Sequence, residues 1–545
     1  MSITALDWTV LIAYLVIITA IGLAAGYRVR RSTEYFLGGR RFGPWLMIAQ
    51  SFGAGTHAEM PVALAGAVYT TGASGIWFQW KNLFITPFYW IMAPVFRRIR
   101  RTTMAEFTED RYGPWMAAIY IVFAICFFVI ETSGMLKGAG KVISQATGGT
   151  VGVNAIVVAM TVMFILYSFV GGLISAAWTD LFQGFLIIVL SFMLIPLGWT
   201  SVGGLAGMKA SLAPFRFSLS TPSGIGPWVI CMLTVNGLVG IMAQPHMIAA
   251  VGTGRDERTC RIGMFYGNYV KRVCTVGWML VGLIVGTMIA QGRGDAAMLS
   301  DPENAFGFAC RQLLFPGALG LLIASILATN MSACSAFLVD SGALFTEGLY
   351  RRRLVPNRPD HHYLWVGRVS GLAITGIGVL YAVFLIQSVL YTFLLTETLA
   401  TFVGISVLGG VLWRRANRWG ALASLLAALT TNFVLYRLKG QRLDYWDANV
   451  FLAALLAGIA GLVIVSLLTS PEPADAIGSL FSRLETSSDD EANRPLLLVH
   501  LLHVGRIARQ RGLRAFRHDL GGFALGWLMV LLLVAATAML LAMGS

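Results

Sequence analysis

A chain of 545 residues that is 57% hydrophobic and only 12% charged, with a mean hydropathy of +0.73, is too apolar for a soluble globular protein of this length. The formal charge of +14 does not point to nucleic acid, because the basic residues are confined to alternate loops, the positive-inside pattern of a polytopic membrane protein. The six cysteines, Cys126, Cys231, Cys260, Cys274, Cys310 and Cys334, lie mostly in apolar segments without paired spacing, which argues against a disulfide framework or a zinc site.

Apolar runs long enough to span a bilayer, roughly 20 residues each, recur along the whole chain. The length rule predicts about 14, near 7–26, 45–69, 76–96, 114–145, 151–173, 178–200, 226–250, 264–290, 316–349, 364–387, 390–413, 419–436, 447–468 and 521–542. The expected fold class is therefore an all-α integral membrane protein. The first run has no basic residues before it and no secretory-type cleavage site, so it reads as a retained helix. Basic clusters follow the first run (Arg28, Arg30, Arg31, Arg40, Arg41), the third (Arg97, Arg98, Arg100, Arg101) and the seventh (Arg255, Arg258, Arg261). Others follow the ninth (Arg351, Arg352, Arg353) and the eleventh (Arg414, Arg415, Arg418). Segment parity and charge together place these loops in the cytoplasm and both termini outside the cell membrane.

The second run is interrupted by Gly53-Ala54-Gly55-Thr56-His57-Ala58-Glu59. Glycine weakens a helix, and backbone groups freed at that depth must face protein, ion or water. The seventh run is interrupted in the same way by Asn236-Gly237, Gly240 and Gln244-Pro245. Paired interruptions are the expected pointer to a transport site near the bilayer midplane; for the first stretch alone, a glycine-rich packing seam kinked at Pro61 is the competing reading. Further along, loop 470–520 opens with Ser470-Pro471-Glu472-Pro473 and holds the acidic run Ser487-Ser488-Asp489-Asp490-Glu491. With Arg506, Arg509, Arg511, Arg514 and Arg517, it reads as a surface linker with a basic amphipathic piece around 497–515 that lies on anionic lipid. A regulatory partner site is the alternative.

Tyr35-Phe36-Leu37-Gly38-Gly39-Arg40, followed by Gly43-Pro44 and the interrupted helix, resembles the start of the sodium:solute symporter family, which includes the bacterial sodium/proline and the sodium/glucose cotransporters. Matches continue in order: Glu106-Phe107 with Arg111-Tyr112-Gly113, then Gly171-Gly172 with Trp178-Thr179-Asp180 and Gln183. After these come Gln244-Pro245-His246-Met247-Ile248, Met331-Ser332-Ala333, and Phe345-Thr346-Glu347 with Tyr350. The resemblance covers roughly 30–414 well and the last segments by hydropathy only. It implies the leucine-transporter fold, with inverted five-helix repeats at about 45–200 and 226–413 in a core 45–414. One helix and a basic loop (1–44) would precede the core, and three helices with the cytoplasmic loop (415–545) would follow it.

By the same resemblance, the family's sodium site maps onto the carbonyls of Gly53, Thr56 and Thr329 and the hydroxyl of Ser332, with Asp180 on the cytoplasmic ion exit path. Sodium, a hard cation, suits such oxygen ligands. Two departures stand out: the second hydroxyl position is Ala333, and the aspartate of the proline branch corresponds to Gly55, with His57 in place of its following serine. Thr56, Ser335, Glu59 or a water are the candidate replacements. The solute is expected between the broken helices, at Gly53, Ala54, Gly55, Thr56, His57, Gln244 and His246, with Asn236 nearby. Free amides at half-helix starts favour a carboxylate, so an amino acid or organic acid comes before a sugar or polyol. The implied activity is sodium-coupled symport by alternating access.

The ionisable residues within spanning runs, His57, His246, Glu59 and Glu131, keep proton coupling open, and proton-coupled or uncoupled transport by the same fold is the alternative to sodium coupling. For Glu131 the preferred reading is a structural hydrogen bond or ion pair, for Lys137 and Lys141 snorkelling, and for Glu397 a gate or cavity lining. Lys81 is a candidate to balance Glu59. Trp77, Phe78 and Trp80 form either a lid or an interfacial belt, the belt preferred for Trp80. A membrane enzyme is disfavoured, since His361-His362 sit in a basic loop and do not share a helix face. A solute sensor is disfavoured because the chain has no room for an appended signalling domain.

Overall fold

The chain, described by a computed structural model over residues 3–27, 29–222, 225–294, 300–386, 388–441, 446–486, 495–503 and 512–543, is built of helices. Helix α1 (Ala5–Gly26) begins where Thr4 and Asp7 cap each other. The Asp7 carboxylate also accepts the backbone amides of Gly317 and Gly320, both at 2.7 Å. Those amides lie at the start of a later helix, α11 below, and carboxylates are favoured at such free N–H groups.

The second run divides into α2 (Pro44–Gly53) and α3 (Glu59–Thr71). It is followed by α4 (Trp77–Ile99), the short α5 (Met104–Tyr112) and α6 (Pro114–Ala146). The fifth and sixth runs form one helix, α7 (Val153–Phe192), bent at Gly172. There φ is +56°, and a side chain would meet the Tyr35 ring at 2.4 Å, so only glycine fits the bend. The seventh run divides into α8 (Pro227–Gly240) and α9 (Met247–Val251). Then come α10 (Glu257–Ala290), α11 (Ala318–Phe345), α12 (Asp360–Phe384) and α13 (Val389–Leu412). Helices α14 (Arg418–Leu438), α15 (Ala448–Leu468), α16 (Ala474–Glu485) and α17 (Arg517–Ala542) complete the chain.

Ten of the described helices are long and apolar enough to cross a membrane uninterrupted. The other four expected runs are the two broken helices, the charged α4 and the first part of α7, so each departure has a residue-level cause. Helix α11 is enclosed on all sides, packed chiefly against α7, α12 and α6, while α10 packs against α2, α3 and α4. Helices α14 and α15 pair with each other and dock on α13, and α17 lies along α4.

Three expectations are corrected by these contacts. Lys141 does not snorkel, because its ammonium is held by Glu303 at 2.5 Å and Asp301 at 2.9 Å. His361 and His362 belong to the first turn of α12 rather than to a loop, with the His362 ring 3.1 Å from the Tyr350 hydroxyl. Loop 470–520 is not a plain surface linker: α16 docks on α4 and α5, burying Leu480, Phe481 and Leu484. Arg98 donates to the Leu484 carbonyl at 2.9 Å, and Arg483 pairs with Asp110. Arg28, Ser487 to Glu491, Arg506, Arg509, Arg511 and the middle of the basic amphipathic piece, 504–511, lie outside the described residues.

Candidate functional site

Helix α2 stops at Gly53 and residues 54–58 are non-helical before α3 begins. Gly53 approaches two other helices closely: a β-carbon there would lie 2.7 Å from Ser332 Oγ on α11 and 3.1 Å from Asp180 Cγ on α7. Ser332 donates to Asp180 Oδ1 at 2.5 Å, while the buried Asp180 Oδ2 has no hydrogen-bond partner among the described residues. A backbone end, a hydroxyl and a carboxylate with an unused oxygen thus converge, a donor set suited to a hard monovalent cation. The resemblance places Asp180 on the exit path; here it stands beside Gly53 and Ser332.

The expected set draws on the carbonyls of Thr56 and Thr329, and their hydroxyls bond backbone oxygens four residues earlier. Thr56 Oγ donates to the Phe52 carbonyl at 2.6 Å, and Thr329 Oγ to the Ser325 carbonyl at 2.7 Å. The Thr56 hydroxyl thus turns back onto the end of α2, and that of Thr329 onto its own helix α11. Ala333 is fully buried and brings no oxygen. Ser335, one of the candidate replacements, bonds the Met331 carbonyl.

His57 repairs the break from inside. Its Nε2 lies 3.0 Å from the Ala54 carbonyl and its Nδ1 2.8 Å from Glu59 Oε1. A carbonyl only accepts, so Nε2 carries a hydrogen, and the short Nδ1 to carboxyl contact holds one proton between the two groups. Glu59 is thus partnered by His57, and Lys81 by Glu397, which corrects the Lys81–Glu59 expectation. The freed amide of Ala58 donates to Asn330 Oδ1 at 3.1 Å, and Asn330 Nδ2 donates to the Met135 carbonyl at 2.7 Å. Asn330 was not singled out in the sequence, although an amide side chain inside an apolar run is a signal of this kind.

The second break runs over 241–246. Tyr120 donates to the Ala243 carbonyl at 2.7 Å, supplying one freed acceptor. The His246 ring lies 6.0 Å from Phe127 and 5.1 Å from Phe337 between centroids, and Phe337 is also 6.0 Å from the His57 ring. His246 Nδ1 is buried without a partner among the described residues. Asn236 is turned away, its oxygen accepting from Thr401 at 2.6 Å.

The two breaks face one cavity, lined by Ala54, Gly55, His57, Gln244 and His246 and, from neighbouring helices, by Glu131, Lys271 and Glu397. Gly53 and Thr56 lie outside this lining, on the ion side. Glu131 has no hydrogen bond or ion pair among the described residues, contrary to its expected structural role. Trp77 donates to the Leu219 carbonyl at 2.6 Å, and Trp80 to the Arg272 carbonyl at 3.2 Å. Neither they nor Phe78 line the cavity, and Trp80 is fully buried, so it is neither lid nor belt. Lys271 was not singled out; the signal was Lys271-Arg272 inside the eighth apolar run, where charge is costly.

The profile of the sodium:solute symporter family matches residues 35–428. The osmoregulated proline transporter OpuE of Bacillus subtilis is 28% identical over 487 residues, covering 87% of this chain and 96% of its own. A sodium/proline symporter of Haemophilus influenzae is 24% identical over 498 residues, covering 85% and 95%. Among solved structures, a sodium-coupled sialic acid symporter in a substrate-bound outward-open state superimposes with a TM-score of 0.72 at 17% identity, covering 86% of this chain and 99% of that one. At that identity the match is one of fold, the leucine-transporter fold. With its profile spanning most of the chain and its two helix breaks meeting at one cavity, the chain belongs to the sodium:solute symporter family.

Proposed function

We propose that this protein is a sodium-coupled symporter that imports a small organic solute of the amino acid or carboxylate class by alternating access. The convergence of Gly53, Ser332 and Asp180 beside a cavity formed by two broken helices carries the reading. Sodium binds on the Ser332 side, with Thr56 and Thr329 contributing backbone oxygen, and the solute lies against Gly55, His57, Gln244 and His246. The names of the relatives, proline transporter and sodium/proline symporter, support both the ion and the solute class. They also favour transport over catalysis.

The ten-helix core spans 45–414, with repeats at about 45–200 and 226–413, and both termini are outside the membrane. An ion couples transport only if it favours one conformation over the other, and contact with groups on three separate helices gives sodium that leverage. The test is uptake of labelled proline, acetate, pyruvate and glucose into proteoliposomes. Faster uptake of one of them under an inward sodium gradient than with choline is expected. Uptake that ignores sodium and follows an inward pH gradient would establish the proton-coupled alternative.

A further inference from the structure

We propose that Lys271 is the anchor for a solute carboxylate, and that the solute is a net anion, a small carboxylate without an ammonium group. The inference rests on the transport reading and narrows its solute. Lys271 is buried on α10 and lines the cavity, yet it makes no hydrogen bond or ion pair with a side chain among the described residues. Its Nζ would lie 3.9 Å from a β-carbon on Gly55. Gly55 leaves this corner open, since the Ser51 carbonyl stands 2.7 Å from the same position and excludes any side chain. The ammonium therefore faces space at the break itself.

The charges around the cavity do not balance. The basic groups are Lys81, Lys271 and Arg272, and the carboxylates outside the His57–Glu59 pair are Glu131 and Glu397. That pair holds one proton and is neutral wherever the proton sits; with the proton absent, two lone pairs would face each other at 2.8 Å. Lys81 and Glu397 cancel. Arg272 is spent on Gln79, its Nη1 donating to that carbonyl at 2.9 Å. With Lys271 protonated, Lys271 and Arg272 against Glu131 leave one positive charge in surplus, a proton on Glu131 would enlarge it, and a bound monoanion would hold the Lys271 proton in place. An uncompensated buried charge is costly, and a monoanion removes the cost where a zwitterion or a sugar does not. His246 Nδ1, buried without a partner among the described residues and lining the same cavity, is available to a second solute oxygen.

The test is equilibrium binding of labelled acetate, pyruvate, lactate, benzoate, proline and glucose to the purified full chain, with folding checked by size exclusion and thermal unfolding. The wild type is expected to bind at least one carboxylate in preference to proline and glucose. Lys271→Gln should weaken that binding at least 100-fold, Lys271→Arg less than tenfold, and Glu131→Gln, which removes a negative charge from the same cavity, should tighten it. If Lys271→Gln does not fold, the Arg and Glu131→Gln variants decide. The proposal is overturned if no carboxylate binds, if proline or glucose binds best, if Lys271→Gln binds as wild type, or if Glu131→Gln abolishes binding. Carboxylate binding without sodium-driven uptake would remove the transport reading and leave the anchor standing. Sodium-driven proline or glucose uptake untouched by Lys271→Gln would do the reverse.

Discussion

Ser332 on α11 and Asp180 on α7 share a hydrogen bond of 2.5 Å directly beside the broken end of α2 at Gly53. Hydrogen bonds to a charged group contribute about 1.5–3 kcal/mol, so under the proposed placement of the ion these residues would dominate sodium affinity. Ser332→Ala and Asp180→Asn are each expected to raise the sodium concentration for half-maximal uptake by about tenfold or more. Ala333→Thr, which adds a hydroxyl beside Ser332, should lower it. Sodium titrations of uptake read all three, and unchanged values would place the ion elsewhere.

The same contact predicts a steric effect. Gly53→Ala puts a methyl group 2.7 Å from Ser332 Oγ and 3.1 Å from Asp180 Cβ. Overpacking of this kind costs about 1–3 kcal/mol. Loss of uptake with a lowered unfolding temperature is expected, whereas Gly43→Ala, with nothing within 4 Å of the added carbon, should match wild type in both.

Lys81 and Glu397 form a buried ion pair between α4 and α13, with the Lys81 ammonium also 4.9 Å from the centre of the Phe393 ring. Removing one partner of such a pair costs about 3–5 kcal/mol, because the other charge is left buried alone. Lys81→Met and Glu397→Gln should therefore each destabilise the protein strongly. The double substitution should recover most of the loss in thermal unfolding.

Glu472 anchors the segment leading into α16 through Arg418. Burial pushes its carboxyl up, but hydrogen bonds from the Arg418 side chain and backbone outweigh this and hold it below the ordinary 4.5. A depressed carboxyl contributes stability that is present above its unfolded value and lost as pH falls through the folded value. Protection of 470–486 against proteolysis is thus expected to be full above pH 4.5 and to decline below it. Glu472→Gln should give weaker protection with little pH dependence.

The two breaks were legible because glycine and proline advertise them locally: Gly53, Gly55, Gly240 and Pro245 each weaken or end a helix within their own segment. The chain-wide motif order made the fold legible too. Partnerships across the bundle were not. Lys81 meets Glu397 from 316 positions away, and no local spacing rule distinguishes that carboxylate from Glu59, which His57 takes. The partners of Lys141 were hidden for the same reason, Asp301 and Glu303 lying at a turn some 160 positions further along. The apolar stripe of α16 is visible in Leu480, Phe481 and Leu484, but a stripe alone does not say whether lipid or protein covers it. Lys271 was visible as charge in an apolar run, while its lack of a partner emerges only in three dimensions.

Phe337 sets the reach of the site. Its ring is the piece of unbroken α11 that stands near both histidines, 6.0 Å from His57 and 5.1 Å from His246, so it spans the gap between the two half-helices like a ruler. A solute that touched both breaks at once would have to pass this ring. Under the proposed placement of the solute, Phe337 would therefore bear on solute length, from a helix that supplies Ser332 a little more than one turn earlier.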